Sequence, residues 1–486
     1  MSEVTKAVSE AQVKSLYDNL RGQLEATKEN SIFIKPSEIT NPTTVSSNAA
    51  SVINAAITKA NTNGMHFVVV PAGEYWLTET VYLKSDVILK GCGMDATTLK
   101  IADNCDIDAI RVAAPTNNSG IMDLSIDGNR IQNYSTFSNG HHGNAINVWL
   151  HYGRIERVRT NWVYKHSLLL NYDTGTSDDG LGFEPEHQND MGNLNKVLWC
   201  DFRDSLLQGV MWGWRTMDSW MCYTNIGSHA ANLYLEGGTS RFIGNHFDGD
   251  GNNGAGPEYN VYCGDGCTAM LFDGNIFENT QKQNIFFRQP SYSNKTMTIT
   301  ISNNIIRTCS KSQNEQYANI YISGYSDSVK AEEIAIIGNQ ILNPDTNANN
   351  GYAGIHLAYC ENCKIFGNTF FNVGNDDVVI DNTCSNINND GLVSPVIVSG
   401  TTPVITGQAG LRYICGECST LSIAVPSSGM IDVVFESGST ATVLTITPPT
   451  GVTVRWPEWF DPTDLQANAT YEINIADGMG VVAVWA

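Results

Sequence analysis

The chain has 486 residues, 42% hydrophobic and 16% charged, with 43 glycines, 12 cysteines and a formal charge of -22. It is long and apolar enough for a large core, and its acidity, with no local basic run, excludes nucleic acid as a partner. No apolar stretch approaches 18 residues, so membrane insertion is not expected. The opening MSEVTKAVSEAQVKSLYDNL lacks the basic-then-apolar layout of a signal peptide, so synthesis in the cytosol is expected.

Residues 1–30 read as a helix, with Val13, Leu16, Leu20 and Leu24 on one face. That stripe either packs on its own domain or joins copies of the chain. Residues 31–64 form a polar linker and a capping helix, Ala49 to Ala60. Next come Tyr75-Trp76-Leu77, Val81-Tyr82-Leu83 and Val87-Ile88-Leu89, which are β-prone stretches too short and too close for hairpins, with no Asn-Gly turns between them.

From Gly120 to Asn388 a unit repeats: IDGNRI, VRTNWV, WCDFRD, YTNIGS, IGNHF, DGNIF, SNNII, IGNQI, FGNTF. Its polar member falls at Asn129, Asn161, Asp201, Asn225, Asn245, Asn275, Asn304, Asn339 and Asn368, with steps of 32, 40, 24, 20, 30, 29, 35 and 29 residues. Strand-rich repeats of this period predict a solenoid. In a parallel β-helix each short strand pairs with its copy in the next coil, and asparagines at one turn can ladder their amides along the stack. The fold class is therefore all-β, a right-handed single-stranded parallel β-helix over residues 65–390.

A second strand recurs as NLYLEG, NVYCGD, NIFFRQ, NIYISG and GIHLAY. Alternation turns Leu233, Leu235, Val261, Cys263, Ile285, Phe287, Ile320, Ile322, Ile355 and Leu357 inward. Tyr234, Tyr262, Phe286, Tyr321 and His356 then form an outward file, and Glu236 and Arg288 fall in a second column. Such an aromatic file suits stacking of sugar rings and equally suits a subunit contact. Insertions such as RIQNYSTFSNGHHGN, HFDGDGNNGAGPEYN and RQPSYSNKT border this strand on both sides, which predicts a loop-walled groove.

Within DGLGFEPEHQND, matching Leu181 and Phe183 to Leu233 and Leu235 puts Glu184 in the column of Glu236, two coils away, with Gly213 leaving a gap between them. A rival register uses HSLLLNYD as this coil's strand. Paired carboxylates about 6.5–9.5 Å apart are the inverting glycosidase arrangement. In that reading Glu236 is the acid and Glu184 the base, with Glu186 and Asp265 as substitutes, and the flanking aromatics bind sugar. A lyase or epimerase would need a cation beside an acidic sugar, for which Arg215, Arg288 and His187 are available. No cofactor is required, although Asp248, Asp250 and Asn252 place oxygens at alternate positions as calcium loops do.

The cysteines are expected to be free thiols. The pairs Cys360/Cys363 and Cys415/Cys418 have zinc-knuckle spacing without a histidine, and read as buried apolar residues. From about Leu392 the texture changes to Thr/Ser/Val alternation, and residues 391–486 read as a small β-sandwich-like domain.

Pro71-Ala-Gly-Glu-Tyr75, with Leu83, Leu89, Gly91-Cys-Gly93 and the preceding helix, resembles the start of pectate-lyase-superfamily β-helices of bacteriophage tailspikes and tail-associated depolymerases. Gly182-Phe-Glu184-Pro185 resembles a Gly-x-(Asp/Glu)-Pro strand of glycan-active β-helices. The resemblance implies a homotrimer that is assembled in the host cytosol with other phage tail proteins, displayed on the virion, and degrades a bacterial surface polysaccharide. The alternatives are a lyase or epimerase on the same fold, or a receptor-binding tail protein without catalysis.

Overall fold

The computed structural model describes residues 30–139, 142–172, 192–213, 216–236, 238–249, 256–263, 267–289, 296–311, 316–343, 352–374, 376–389, 396–407, 412–426, 430–476 and 479–485. The N-terminal helix expected over residues 1–30 lies almost wholly outside them. The chain divides into two units, Met1–Phe287 and Arg288–Ala486.

In the first unit the short strands pair with later coils and not with their sequence neighbours. Phe67–Val69 pairs in parallel with Ile88–Lys90, Gly73–Leu77 with Thr97–Ile101, and Val81–Leu83 with Ile110–Val112. The same step repeats along three parallel sheets. The first sheet continues through Ile146–Val148, Leu168–Leu170, Val210–Trp212, Ala231–Leu235, Tyr259–Cys263 and Ile285–Arg288. The second runs through Gly120–Asp127, Arg154–Asn161, Lys196–Leu198, Ser219–Cys222, Ser240–Ile243 and Leu271–Asp273. The third includes Asp201–Ser205, Asn225–Ser228, His246–Asp248 and Ile276–Glu278.

Inward residues fill the bore in stacked tiers. Phe242 lies over Phe272 at 4.9 Å between ring centroids and Phe247 over Phe277 at 4.6 Å, all fully buried. Each such ring contributes about 1.5–3 kcal/mol by leaving water. Helix Ala49–Asn63 lays Ala50, Ile53, Ile57 and Ala60 against Phe67–Val69, Gly73–Leu77 and Val81–Leu83, and ends at Gly64, whose positive φ closes the helix.

The asparagine ladder is present. The backbone N–H and the side-chain Nδ2 of Asn245 both donate to Asn275 Oδ1, at 2.9 and 3.0 Å. Four of the expected rungs miss the ladder: Asn161 pairs with Asp127 and not with Asn129, Arg159 and not Asn161 pairs with Asp201, and Asp201 and Asn225 are themselves off by one residue. The turn position is held by Cys200 and Thr224, whose backbone N–H groups donate to Thr224 Oγ1 and Asn245 Oδ1. Asp201 and Asn225 instead open outward-facing strands, where Asn225 Nδ2 donates to Asp201 Oδ1. A second ladder, unread in the sequence, runs from Asn232 to Asn260 to Asn284 with 2.6 Å bonds.

In the second unit the same coil geometry gives Ile320–Ser323 with Ala353–Ala358 and Asp376–Ile380, and a further ladder joins Asn304, Asn339 and Asn368. The C-terminal strands form two sheets over one core that includes Ile405, Leu421, Phe435 and Tyr471. Two sheets thus share one core, but Val396–Val398, Arg412–Cys418 and Met430–Ser437 run parallel, as do Val404–Thr406, Thr420–Ala424 and Val443–Thr447. Thr470–Ala476 then pairs antiparallel with both Met430–Ser437 and Met479–Trp485.

Cys263 and Cys267 are joined by a disulfide, which corrects the expectation that every thiol is free. The other ten cysteines are free, and Cys360, Cys363, Cys415 and Cys418 are buried.

Candidate functional site

The first sheet carries the aromatic file. Tyr234, Tyr262 and Phe286 are in register on successive strands. Their rings stack at 5.2 Å and 5.3 Å between centroids. Tyr259 packs against Tyr262 and Phe286, and its outer face meets Lys282, which is paired with Glu258 at 2.8 Å. Glu236 follows Tyr234 at the edge of the strand, with its backbone N–H fixed to the Trp212 carbonyl at 2.9 Å. Burial raises the Tyr234 phenol above its ordinary range, and the charge of Glu236, Tyr172, Tyr262 and a hydrogen bond to Glu236 add to it. The phenol therefore stays protonated, and its hydrogen bond to Glu236 fixes the position of that carboxyl group.

In the second unit Tyr321 and His356 meet edge-to-face at 5.0 Å. His356 Nε2 lies 3.1 Å from Asp381 Oδ1. Arg288, at its strand end, is exposed.

The register expected for Glu184 is overturned. The strand beside Val210–Trp212 is Leu168–Leu170, so the rival reading holds, and the place beyond Leu170 belongs to the fully buried Asn171. Nor is Gly213 a gap: a Cβ there would overlap the Asn171 carbonyl oxygen, so the glycine permits close packing. Glu184, Glu186, His187, Arg215, Asp250, Asn252 and Asp265 lie outside the described residues. The outward file itself changes character along the sheet. Asn147, Leu169 and Met211 are buried, whereas Tyr234, Tyr262 and Phe286 are half-exposed.

Asp248, the one described member of the expected calcium loop, sits with His246 and Glu278, one ligand atom of each within 4.8 Å of the others. Sequence reading missed Glu278 because it belongs to the next coil, and missed His246 although it stands two residues before Asp248 on the same strand.

A second polar cluster was also missed. Asp108 is wholly buried, and accepts from the Asn144 backbone at 2.9 Å, Asn144 Nδ2 at 2.8 Å and Asn147 Nδ2 at 3.0 Å, with His142 Nδ1 3.8 Å away. Burial alone would raise its carboxyl, but the nearby His142 and the bonds from Asn144 and Asn147 outweigh this and hold it below the usual range. His142 is raised in turn by the Asp108 carboxylate beside it against the cost of burial, helped by Asp106 and opposed by Arg111. The readable signal was positional: Asp108, Asn144, His166 and Gln208 each stand two residues before the in-register Ile110, Ile146, Leu168 and Val210.

Residues 43–163 match the family described as Rhamnogalacturonase A/epimerase, pectate lyase-like. Among solved structures, a double mutant of the tailspike of E. coli bacteriophage HK620 aligns with a TM-score of 0.53 at 13% identity, over 95% of this chain and 93% of that one. The fold is a pectate lyase-like right-handed parallel β-helix. The Streptococcus pneumoniae surface adhesin PfbA shares this β-helix at a TM-score of 0.51 and 12% identity, over 86% of this chain and 96% of that one. The mannuronan C5-epimerases AlgE5 and AlgE2 of Azotobacter vinelandii are 34% identical over 96 residues. That match covers 17% of the present β-helix chain and spans only 10% of the length of each epimerase.

Proposed function

We propose that this chain is a polysaccharide-acting β-helix that lays a glycan along the file of Tyr234, Tyr262 and Phe286. The observation that carries this reading is the stacked, half-exposed file ending at Glu236, which Tyr234 orients. Sugar C–H faces stack on such rings, and a fixed carboxyl at their edge is placed for general acid catalysis. In glycoside hydrolysis Glu236 gives its proton to the leaving oxygen, and a second carboxylate activates water; Glu184, which lies in the segment after Tyr172 and outside the described residues, remains the first candidate for that base by its sequence motif alone. Glu186 and Asp265 are the substitutes for that base. Tyr172 is close enough to Tyr234 to influence its ionisation, which puts the root of that segment beside the file. No calcium or other cofactor is needed for this chemistry.

A second reading, epimerisation or elimination on an acidic sugar, is favoured by the epimerase matches. The Asp108–His142 pair also falls inside the matched family segment, with Arg111 close enough to act on His142. We place the chain, as a homotrimer, among phage tail proteins carried on the virion. Support comes from the resemblance of its opening coils, and sedimentation at three times 53.0 kDa is the expected result.

Incubation with host surface glycan and with an acidic polymer such as mannuronan separates the readings. New reducing ends without the ultraviolet absorbance of an unsaturated uronate mean hydrolysis. That absorbance means elimination, inverted C5 configuration without cleavage means epimerisation, and binding alone means a receptor module. Glu236→Gln should fold and bind glycan yet turn it over about 10²–10⁴-fold more slowly. Near-full activity in that variant would remove Glu236 from the mechanism.

A further inference from the structure

We propose that His246, Asp248 and Glu278 form a three-ligand site for a divalent transition-metal cation of the Zn²⁺ type, held across two neighbouring coils. His246–Asp248 pairs with Ile276–Glu278 in register His246 to Ile276 and Phe247 to Phe277. Phe247 and Phe277 point inward, fully buried and stacked. Period-two alternation therefore turns His246, Asp248 and Glu278 to the outer face.

The distances fit a cation. His246 Nε2 and Glu278 Oε1 are 2.8 Å apart, and one ligand atom from each of the three residues lies within 4.8 Å of the others. Bonds of about 2.1 Å in tetrahedral geometry place ligand atoms about 3.4 Å apart, a spacing inside that range. Ligands on rigid in-register strands need little rearrangement to close on an ion.

The donor set chooses the class of metal. Calcium takes oxygen ligands, whereas an imidazole nitrogen with two carboxylates suits zinc and its neighbours. The expected calcium loop thus shares Asp248 with a different site. A further observation points to a ligand. On the adjoining rung Asn225 pairs in register with His246, and its Oδ1 is buried without a partner. Gly227, opposite Asp248, puts no side chain in the way: a Cβ there would meet nothing nearer than the Asp248 carbonyl at 3.9 Å.

The Asp248 carbonyl also accepts from Asn232 Nδ2 at 2.9 Å, at the start of the strand that bears Tyr234. A cation here would tie down the root of the long insertion that leads into Tyr259–Cys263. The inference does not depend on the glycan reading.

The test uses the full chain without an affinity tag, freed of metal by a chelator and titrated with Zn²⁺, Co²⁺ and Ca²⁺. The expected result is one Zn²⁺ or Co²⁺ per chain by elemental analysis and calorimetry, with affinity at least about 100-fold lower in His246→Ala and Glu278→Gln. The Co²⁺ spectrum should lack thiolate charge transfer, which separates this site from the cysteines. Circular dichroism and melting in chelator check that each variant folds, and Asp248→Asn replaces one that does not. No Zn²⁺ or Co²⁺ uptake, uptake unchanged in the folded variants, or a thiolate spectrum would overturn the proposal and leave His246 and Glu278 as a plain ion pair.

Discussion

Replacing Asn275 by alanine tests whether the asparagine ladder holds the coils together. Asn275 is 1% exposed. Its Oδ1 accepts twice from Asn245, and its Nδ2 donates to the Phe242 carbonyl at 2.9 Å. After truncation Asn245 Nδ2 keeps the Met221 carbonyl at 2.9 Å, but the Asn245 backbone N–H loses its partner and Phe242 loses a donor. An orphaned buried N–H costs about 1–3 kcal/mol and a lost bond about 1 kcal/mol net, so the expected loss is about 2–4 kcal/mol. The assays are the thermal midpoint at fixed scan rate and hydrogen exchange at the Asn245 amide. Asn275→Asp adds a sign. Its second oxygen would face the Phe242 carbonyl and must carry a proton to bond there, which raises the folded pKa above the usual value of about 3.9. That contribution is full below about pH 3.9 and is lost as pH rises through the folded value. Relative to the parent, the aspartate variant should therefore weaken from acid toward neutral pH. A loss below about 1 kcal/mol in Asn275→Ala with the Asn245 amide still protected would refute the ladder's role.

The Asp108–His142 pair predicts opposite pH limbs. The depressed Asp108 carboxyl stabilises the fold above its ordinary value of 3.8, and that contribution goes as pH falls through its folded pKa. The raised His142, facing Asp108, Asp106 and Arg111, contributes fully below 6.5 and loses this as pH rises through its folded pKa. The melting difference between parent and His142→Asn should therefore shrink on the alkaline side, checked by melting curves and by NMR titration of the imidazole. Cys384, lowered to about 7 chiefly by a hydrogen bond from Cys360, should alkylate at neutral pH, while buried Cys200 and Cys309, pushed up to about 12, should not until unfolding; peptide mass spectrometry reads both. Tyr262→Ala should weaken glycan binding by about tenfold, the equivalent of about 1.4 kcal/mol, in calorimetry. The same change at Tyr223, whose exposed ring stacks with Trp199 at 6.3 Å, should leave binding unchanged.

The β-helix was legible because its evidence in the chain is periodic. Inward residues such as Leu233, Val261 and Ile285 recur at one position per coil, and the asparagine turn recurs with them. The first coils were harder to read because Cys200 and Thr224 hold the same turn with different chemistry. The site was legible only where one strand carried it, as with Tyr234 and Glu236. Clusters assembled across coils, His246 with Glu278 and Asp108 with His142, are 32 and 34 residues apart in the chain. Nothing local marks them until the register is known. The misplaced Glu184 shows the same limit: Leu168–Leu170 and the stretch ending in Phe183 are both apolar, and only pairing with Val210–Trp212 chooses between them.

Tyr234 and Tyr262 lie 28 residues apart in the chain but 5.2 Å apart in space. Chain length between rungs and distance between rungs are therefore separate variables. Residues 250–255 can grow, shrink or change in sequence without moving either ring, because both rings are fixed by strand pairing. A whole coil can likewise be added or removed and leave every remaining rung with a partner of the same register. For a lineage facing a changing polymer, reach and selectivity can drift in the loops while the spacing of the platform is inherited intact.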